Sequence, residues 1–487
     1  MPPRHQSDIG LLEKILYKTS VFSFRKCWEY DFCKLPHWGV LLYPENVMLA
    51  KAPIYFHITD VVEHAIKHPV PTGVQRSVVR ILESIVRRKD TRAVYGLLQH
   101  PISGKYRAAD LSFLREPSPF REIASSLELA SNKDQWMASK LRRYESGSLR
   151  YFLQKHRMQL QWASSPALRA RVLKSAGRAE PSPVLDGIPA PGGYIVTLGS
   201  GRNADYQGLK AFAETHGCQL ISFVHDIIAL SGEPYASDKS GRDRKWIEHV
   251  VSDSALIFCN SRFTKKEFER YLDENDLLSN ADVVVARFPH EFRIERDAGY
   301  SVRDEVSCLL REDFVLCVGT MTTRKNTLGL LEAWQQLEKS LREKTPSLVL
   351  AGGEGRGADE IHAFLRKTAS VNGTVQIVAQ PNDAELELLY RHCRFTVFPS
   401  WYEGWGLPVG ESLWFGKPVI CAARASMPEV GLDFATYFDH GEPASLLSAI
   451  QKMIEHPAVL PSDIRDRLTT WDDTADSIWN AIGAFDY

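Results

Sequence analysis

Ser400-Trp-Tyr-Glu403-Gly-Trp-Gly-Leu-Pro-Val-Gly-Glu411-Ser-Leu-Trp-Phe-Gly416-Lys-Pro-Val-Ile420 sets two carboxylates around a glycine-rich turn. Pro408 fits the first turn of a helix, where its missing N–H costs nothing. Gly404 and Gly406 let the backbone come close to another group. Glu403 then lies before the helix and Glu411 inside its first turns. Backbone amides between the two acids can point at one ligand. A short apolar strand follows at Val419-Ile420.

The surrounding sequence repeats the theme of apolar strand, loop and amphipathic helix. Strands are predicted at 314–318, 347–351, 375–378 and 395–398, with helices at 326–337, 383–392 and 442–455. An earlier series has strands at 53–59, 91–98, 194–198, 220–224, 255–258 and 283–286. Val74 to Arg88 is a strong amphipathic helix with Thr72 as its cap. Near-continuous apolar strands belong to parallel sheets covered on both faces. The fold class is therefore α/β, with two parallel-sheet domains. The expected boundaries are an extension at 1–50, a first domain at 51–295 with a basic insertion at 105–190, a second domain at 296–470, and a helix at 471–487.

A length of 487 residues supports two or three domains. Net charge is −1, which argues against nucleic acid as a partner. The eight cysteines form no CxxC pair and no zinc-like spacing, so they read as reduced, in a cytoplasmic protein. The N-terminus lacks the apolar core of a signal peptide, and no run reaches the ~20 apolar residues of a membrane helix.

In open α/β sheets, ligands sit at the carboxyl ends of strands. Arg324-Lys325-Asn326 opens a helix just after one strand. Two fixed cations at a helix N-terminus suit a diphosphate. Glu411 can accept two ribose hydroxyls, and Glu403 can accept sugar hydroxyls. His225-Asp226 follows another apolar strand, where a histidine can bond a substrate hydroxyl or stabilise developing charge. Taken singly, each has a plainer reading: a solvated charge pair, acids complementing a helix dipole, a structural histidine.

With these residues in place, the chain resembles the retaining nucleotide-sugar glycosyltransferases of the GT-B fold, family 4 or group 1, which implies two Rossmann-like parallel-sheet domains facing a central cleft, with the 471–487 helix crossing back to the first domain. The two-acid motif with seven residues between appears as YEGWGLPVGESLWFGKPVI (402–420), continued by Met427-Pro-Glu-Val430. VLCVGTMTTRKNTLGLLEAW (315–334) resembles the phosphate-binding strand-loop-helix. LVLAGGEG (348–355) and NDAELELLYRHCRFTVFPS (382–400) resemble the base-binding side. FVHDIIAL (223–230) and PTGVQR (71–76) resemble the N-terminal histidine motif and glycine loop. The segments 1–50 and 105–190 have no counterpart.

The resemblance implies that Arg324 and Lys325 bind the donor diphosphate and that Lys325 helps it leave. Glu411 would hold the ribose, and Glu403 would position the transferred sugar. His225 would line the sugar pocket, and Gly73 would let its loop approach the phosphates. Gly404, Trp405, Gly406 and Leu407 would supply backbone amides, with Thr320 and Gly353 completing the donor site. Glu403, His225 and Lys325 are the expected catalytic residues. No cofactor and no metal are expected. Thr320 stands where many members carry arginine, a variant similar to bacterial surface-polysaccharide mannosyl- and rhamnosyltransferases. GDP-mannose is the favoured donor, and a glycan or polyprenyl-diphosphate-linked glycan the expected acceptor.

Other signals compete. Gly199-Ser-Gly201-Arg-Asn-Ala204 mimics a dinucleotide fingerprint, the mark of a nicotinamide-dependent oxidoreductase. A non-catalytic sugar-nucleotide-binding protein is a third reading. His64 and His68 have metal-like spacing, followed at once by Pro69. Residues 140–178 hold ten Lys/Arg against one acid, with aromatics interleaved. They suit an anionic membrane surface on the inner face of the plasma membrane, or equally a solvated helical face.

Overall fold

The computed structural model describes residues 51–67, 71–99, 104–115, 188–199, 201–202, 204–234, 241–294 and 301–486, with isolated positions between them. The 1–50 extension, His68 and, isolated positions apart, the 140–178 segment lie outside the described residues. The membrane-surface and two-histidine readings therefore lie outside them too.

The first sheet has seven strands: β1 (Ile54–His57), β2 (Val94–Gln99), β3 (Tyr106–Asp110), β4 (Tyr194–Thr197), β5 (Gln219–Val224), β6 (Ser254–Cys259) and β7 (Asp282–Val285). Their order is β3-β2-β1-β4-β5-β6-β7. All neighbours are parallel except β2 and β3, which pair antiparallel. β3 falls inside the segment read as an interruption. It is a short edge strand carrying Arg107 and Asp110, and it lacks the continuous apolar run of its neighbours.

The second sheet is wholly parallel. It contains β8 (Phe314–Val318), β9 (Ser347–Gly352), β10 (Val375–Ala379), β11 (Thr396–Phe398), β12 (Val419–Ala422) and β13 (Thr436–Phe438), in the order β10-β9-β8-β11-β12-β13. Ile54, Phe56, Val315 and Leu316 are fully buried, as strands covered on both faces require.

Each sheet reverses its strand order once. The reversal falls between β1 and β4 in the first sheet and between β8 and β11 in the second. Such switch points leave a crevice outside the carboxyl ends of the two strands.

Helix α1 (Thr59–Lys67) follows β1 and α2 (Gly73–Val86) follows it. Thr72 occupies the N-cap position of α2 but makes no side-chain cap; its hydroxyl turns to Gln75. The last long helix, α3 (Trp471–Gly483), opens with a capping box between Thr470 and Asp473. Its Trp471, Ile478, Trp479 and Ile482 join Val78, Ile81 and Leu82 of α2 in one apolar cluster. Arg92 fastens the end of the chain by a two-point ion pair with Asp486 at 2.9 and 3.0 Å.

Candidate functional site

The switch point of the second sheet gathers the two loops that matter. One runs from β8 through Gly319, Thr320, Arg324 and Lys325 into helix α4 (Thr327–Leu341). The other runs from β11 through Ser400 and Glu403 into helix α5 (Leu407–Trp414). Because β8 and β11 are neighbours, residues some eighty positions apart meet. Glu403 Oε1 lies 2.5 Å from Arg324 Nη1 and 2.6 Å from Lys325 Nζ. It also accepts from the Ser400 hydroxyl at 2.6 Å. Arg324 donates to the Tyr402 carbonyl at 2.5 Å, and Lys325 stands 4.5 Å above the Phe398 ring.

Glu403 is 9% exposed. Burial opposes its ionisation, but Arg324 and Lys325 outweigh burial and hold the carboxyl at about 2. Burial lowers the Lys325 ammonium, against the pull of Glu403. The cluster is a buried anion seated on two cations at the start of a helix.

Gly406 adopts φ 105° as the N-cap of α5, a conformation glycine takes without steric cost. Among the described residues no group accepts from the backbone N–H groups of Gly404, Trp405, Gly406 and Leu407. Gly404 has a further reason to be glycine. A Cβ there would fall 1.9 Å from the carbonyl oxygen of His225. The Gly404 carbonyl accepts from the hydroxyls of Ser261 at 2.7 Å and Thr264 at 3.1 Å, the N-cap and a first-turn residue of the helix that follows β6. The loop that carries Glu403 is thus stitched to the first domain. The Trp405 indole points elsewhere: its Nε1 donates to the Pro289 carbonyl at 3.0 Å, between the two domains.

Glu411 is 3% exposed, and both its oxygens have partners. Oε2 accepts from the Tyr390 hydroxyl at 2.7 Å, and Oε1 lies 3.4 Å from Arg76 Nη1. Burial pushes this carboxyl up, while Arg76 and Tyr390 oppose the rise; Lys325 is near enough to contribute in the same sense. Arg76 also pairs with Asp383 at 2.6 Å, and Arg80 forks onto Glu83 at 2.9 Å. Sequence reasoning missed Arg76, Tyr390 and Asp383. Arg76 was on the page within PTGVQR, but its partners lie more than 300 positions away.

His225 sits at the end of β5, buried. Its Nε2 donates to the Leu198 carbonyl at 2.7 Å, and burial drops its pKa to about 4. Nε2 thus carries the proton of a neutral ring. Gly73 is the first residue of α2, and a Cβ there would stand 3.6 Å from Leu407, an ordinary contact. Thr320 is exposed at the loop entrance. Gly353 has open space around its Cα, whereas Gly352 does not: a Cβ on it would meet the Gly319 carbonyl at 2.1 Å.

The Gly199/Gly201 fingerprint has a different use. A Cβ on Gly199 would fall 2.1 Å from Asp60 Oδ2, and one on Gly201 2.3 Å from the Tyr206 hydroxyl. The following helix, Tyr206–His216, is capped by the Asp205 side chain. Two acids stand where a dinucleotide would place its pyrophosphate, so like charge opposes that reading. Among the described residues no group of three His, Cys, Asp or Glu is placed to hold a metal ion. No described helix is long and apolar enough to cross a membrane.

Residues 305–469 match the family model of the glycosyl transferases group 1. O-antigen chain mannosyltransferase B of Escherichia coli is 28% identical over 246 residues, which is 49% of this chain and 61% of that protein. The serotype-specific mannosyltransferase WbdA of Escherichia coli is 24% identical over 253 residues, 51% of this chain and 30% of that protein. The chain spans less than two thirds of the length of these relatives. Among solved structures, sucrose-phosphate synthase from Thermosynechococcus elongatus superposes with a TM-score of 0.55 at 16% identity, covering 89% of this chain and 99% of that one. Anabaena HepE, solved with UDP and glucose, gives 0.52 at 14% identity, over 89% of this chain and 100% of its own. The fold is GT-B. Its second domain matches the group 1 glycosyltransferases.

Proposed function

We propose that the protein is a retaining glycosyltransferase. It moves a hexose, mannose by preference, from a nucleotide diphosphate sugar to a glycan or polyprenyl-diphosphate-linked glycan during surface polysaccharide synthesis. The observation that carries this reading is the seat of Glu403 on Arg324 and Lys325, at 2.5 and 2.6 Å. Two cations and the unpaired amides at the start of α5 form an anion site, and a carboxylate rests there in place of phosphate. A diphosphate arriving at the cations frees Glu403 to accept hydroxyls of the sugar. Glu411 then exchanges Arg76 for the ribose.

In the transfer step, the bond from the sugar C1 to the diphosphate oxygen breaks. The acceptor oxygen bonds to C1 on the same face, and its proton passes to the leaving phosphate. Arg324, Lys325 and the helix-start amides neutralise the leaving group, so the step needs no metal ion. Mannose is favoured because relatives with matching sequence are named mannosyltransferases, and GDP-mannose because of the Thr320 variant of the 319–326 loop.

The test is a hydrolysis screen over GDP-mannose, UDP-glucose, UDP-N-acetylglucosamine and dTDP-rhamnose, with and without EDTA. Glu403→Ala is the control. Turnover of one donor, insensitive to EDTA and lost in the variant, is expected. Donor binding without turnover would instead mark a binding protein, and NAD binding with no sugar-nucleotide binding would mark an oxidoreductase.

A further inference from the structure

Asp60 follows β1 in the first turn of α1, and Gly199 follows β4. β1 and β4 flank the switch point of the first sheet. The carboxylate therefore stands in the crevice that corresponds, in the first domain, to the Glu403 crevice of the second. Both Asp60 oxygens are buried, and neither has a hydrogen-bond partner among the described residues. The residue as a whole is only partly buried. Gly199 leaves room for it: any side chain there would strike Oδ2. Next to Gly199, the Leu198 carbonyl holds His225. Asp60 and His225 thus flank the same peptide at the end of β4.

A buried carboxylate without a donor costs free energy, and such a group in a native fold calls for a reason. Burial raises this one to about 6; its own N–H and that of Val61 lie near enough to pull it down, but neither reaches hydrogen-bond geometry. A helix-dipole role alone is satisfied by an acid exposed to water. The missing donor is therefore supplied by a ligand. A phosphate is excluded by charge. A metal ion is disfavoured because, among the described residues, no group of three His, Cys, Asp or Glu is placed to hold one. A neutral hydroxyl remains.

We propose that Asp60 binds a hydroxyl of a neutral glycan acceptor and holds that acceptor at the first switch point, facing the donor site. This rests on the glycosyl-transfer reading above, and it adds the residue on the acceptor side.

The experiment compares wild type with Asp60→Asn and Asp60→Ser. The probes are methyl α-mannoside and an α-linked mannobiose. Three quantities are read: hydrolysis of the donor alone, transfer to the probes, and probe binding by titration calorimetry without donor. The expected result is donor hydrolysis within about twofold of wild type, with the acceptor KM raised about 10- to 100-fold, the range of one charge-assisted hydrogen bond. Probe binding weakens in parallel, and the melting temperature does not fall. Hydrolysis and transfer declining together, with a lower melting temperature, would show a structural carboxylate and overturn the proposal. So would unchanged transfer, or a wild type that binds neither probe. A wild type that binds probes through Asp60 yet turns over no donor overturns the transfer reading alone.

Discussion

Replacing Glu403 by glutamine removes the anion from the centre of the cluster while keeping its shape. The carboxyl falls from 4.5 to about 2 in the folded chain, which corresponds to about 3 kcal/mol in favour of the ionised, folded state. A depressed carboxyl contributes above its unfolded pKa and is lost as pH falls through the folded one. At pH 7 the wild type holds the whole contribution and the glutamine variant none of it. In a unit the size of Lys51–Tyr487, that lowers the melting temperature by about 3 °C. The same substitution leaves Arg324 and Lys325 without their resident anion. Free GDP or pyrophosphate no longer has to displace a carboxylate, so it binds the variant about 10- to 100-fold more tightly. The assay is calorimetric titration with GDP beside thermal denaturation with and without it. GDP should raise the variant's melting temperature more than the wild type's, while sugar transfer is lost. Equal GDP affinity in the two proteins, with no change in melting temperature, would refute the idea that Glu403 occupies the diphosphate seat.

Further outcomes follow from the same geometry. Arg76→Met leaves Glu411 buried without its paired arginine and Asp383 with Arg80 alone, at 3.8 Å, and should cost about 3–5 kcal/mol, seen as a lower melting temperature; a variant as stable as wild type would show that the pair is idle. Gly404→Ala drives a methyl into the His225 carbonyl, so transfer should fall at least 100-fold with an unchanged circular dichroism spectrum; wild-type transfer would contradict the seam described here. His57, His225 and His290 are each lowered by burial to about 4. The unfolded chain binds their protons first, so stability is full above about pH 6.5 and declines as pH falls toward 4. Asp60, raised to about 6, works in the opposite sense but is one group against three. A melting temperature that stays flat from pH 7 to pH 4.5 would refute that balance.

Much of this was legible in the sequence because strand ends are local. Apolar runs such as Phe314–Val318 announce themselves, and the loop after each one carries its chemistry in plain order. Arg324, Lys325 and Glu403 could be named from position alone, and the strand order then explains why they touch. What could not be read is pairing across the cleft. Arg76 looks like any polar residue on an amphipathic helix until Asp383 and Glu411 are placed beside it. Tyr390 looks like core until its hydroxyl meets Glu411. Trp405 was expected at the ligand through its amide, and its indole proves to be an anchor on Pro289. The glycines at 199 and 201 mimic a fingerprint because a tight turn needs glycine whether it cradles a phosphate or clears space for Asp60 and Tyr206.

The contacts of Gly404 have a consequence for building hybrid enzymes. Its carbonyl is held by Ser261 and Thr264 of the other domain, and its Cα rests on the His225 carbonyl. Neither half of the chain holds the whole setting of this loop. A chimera that joins the second domain to a foreign first domain keeps the Glu403 loop in place only if the incoming domain brings hydroxyls at the Ser261 and Thr264 positions. Without them the graft receives a loop that has lost its mould.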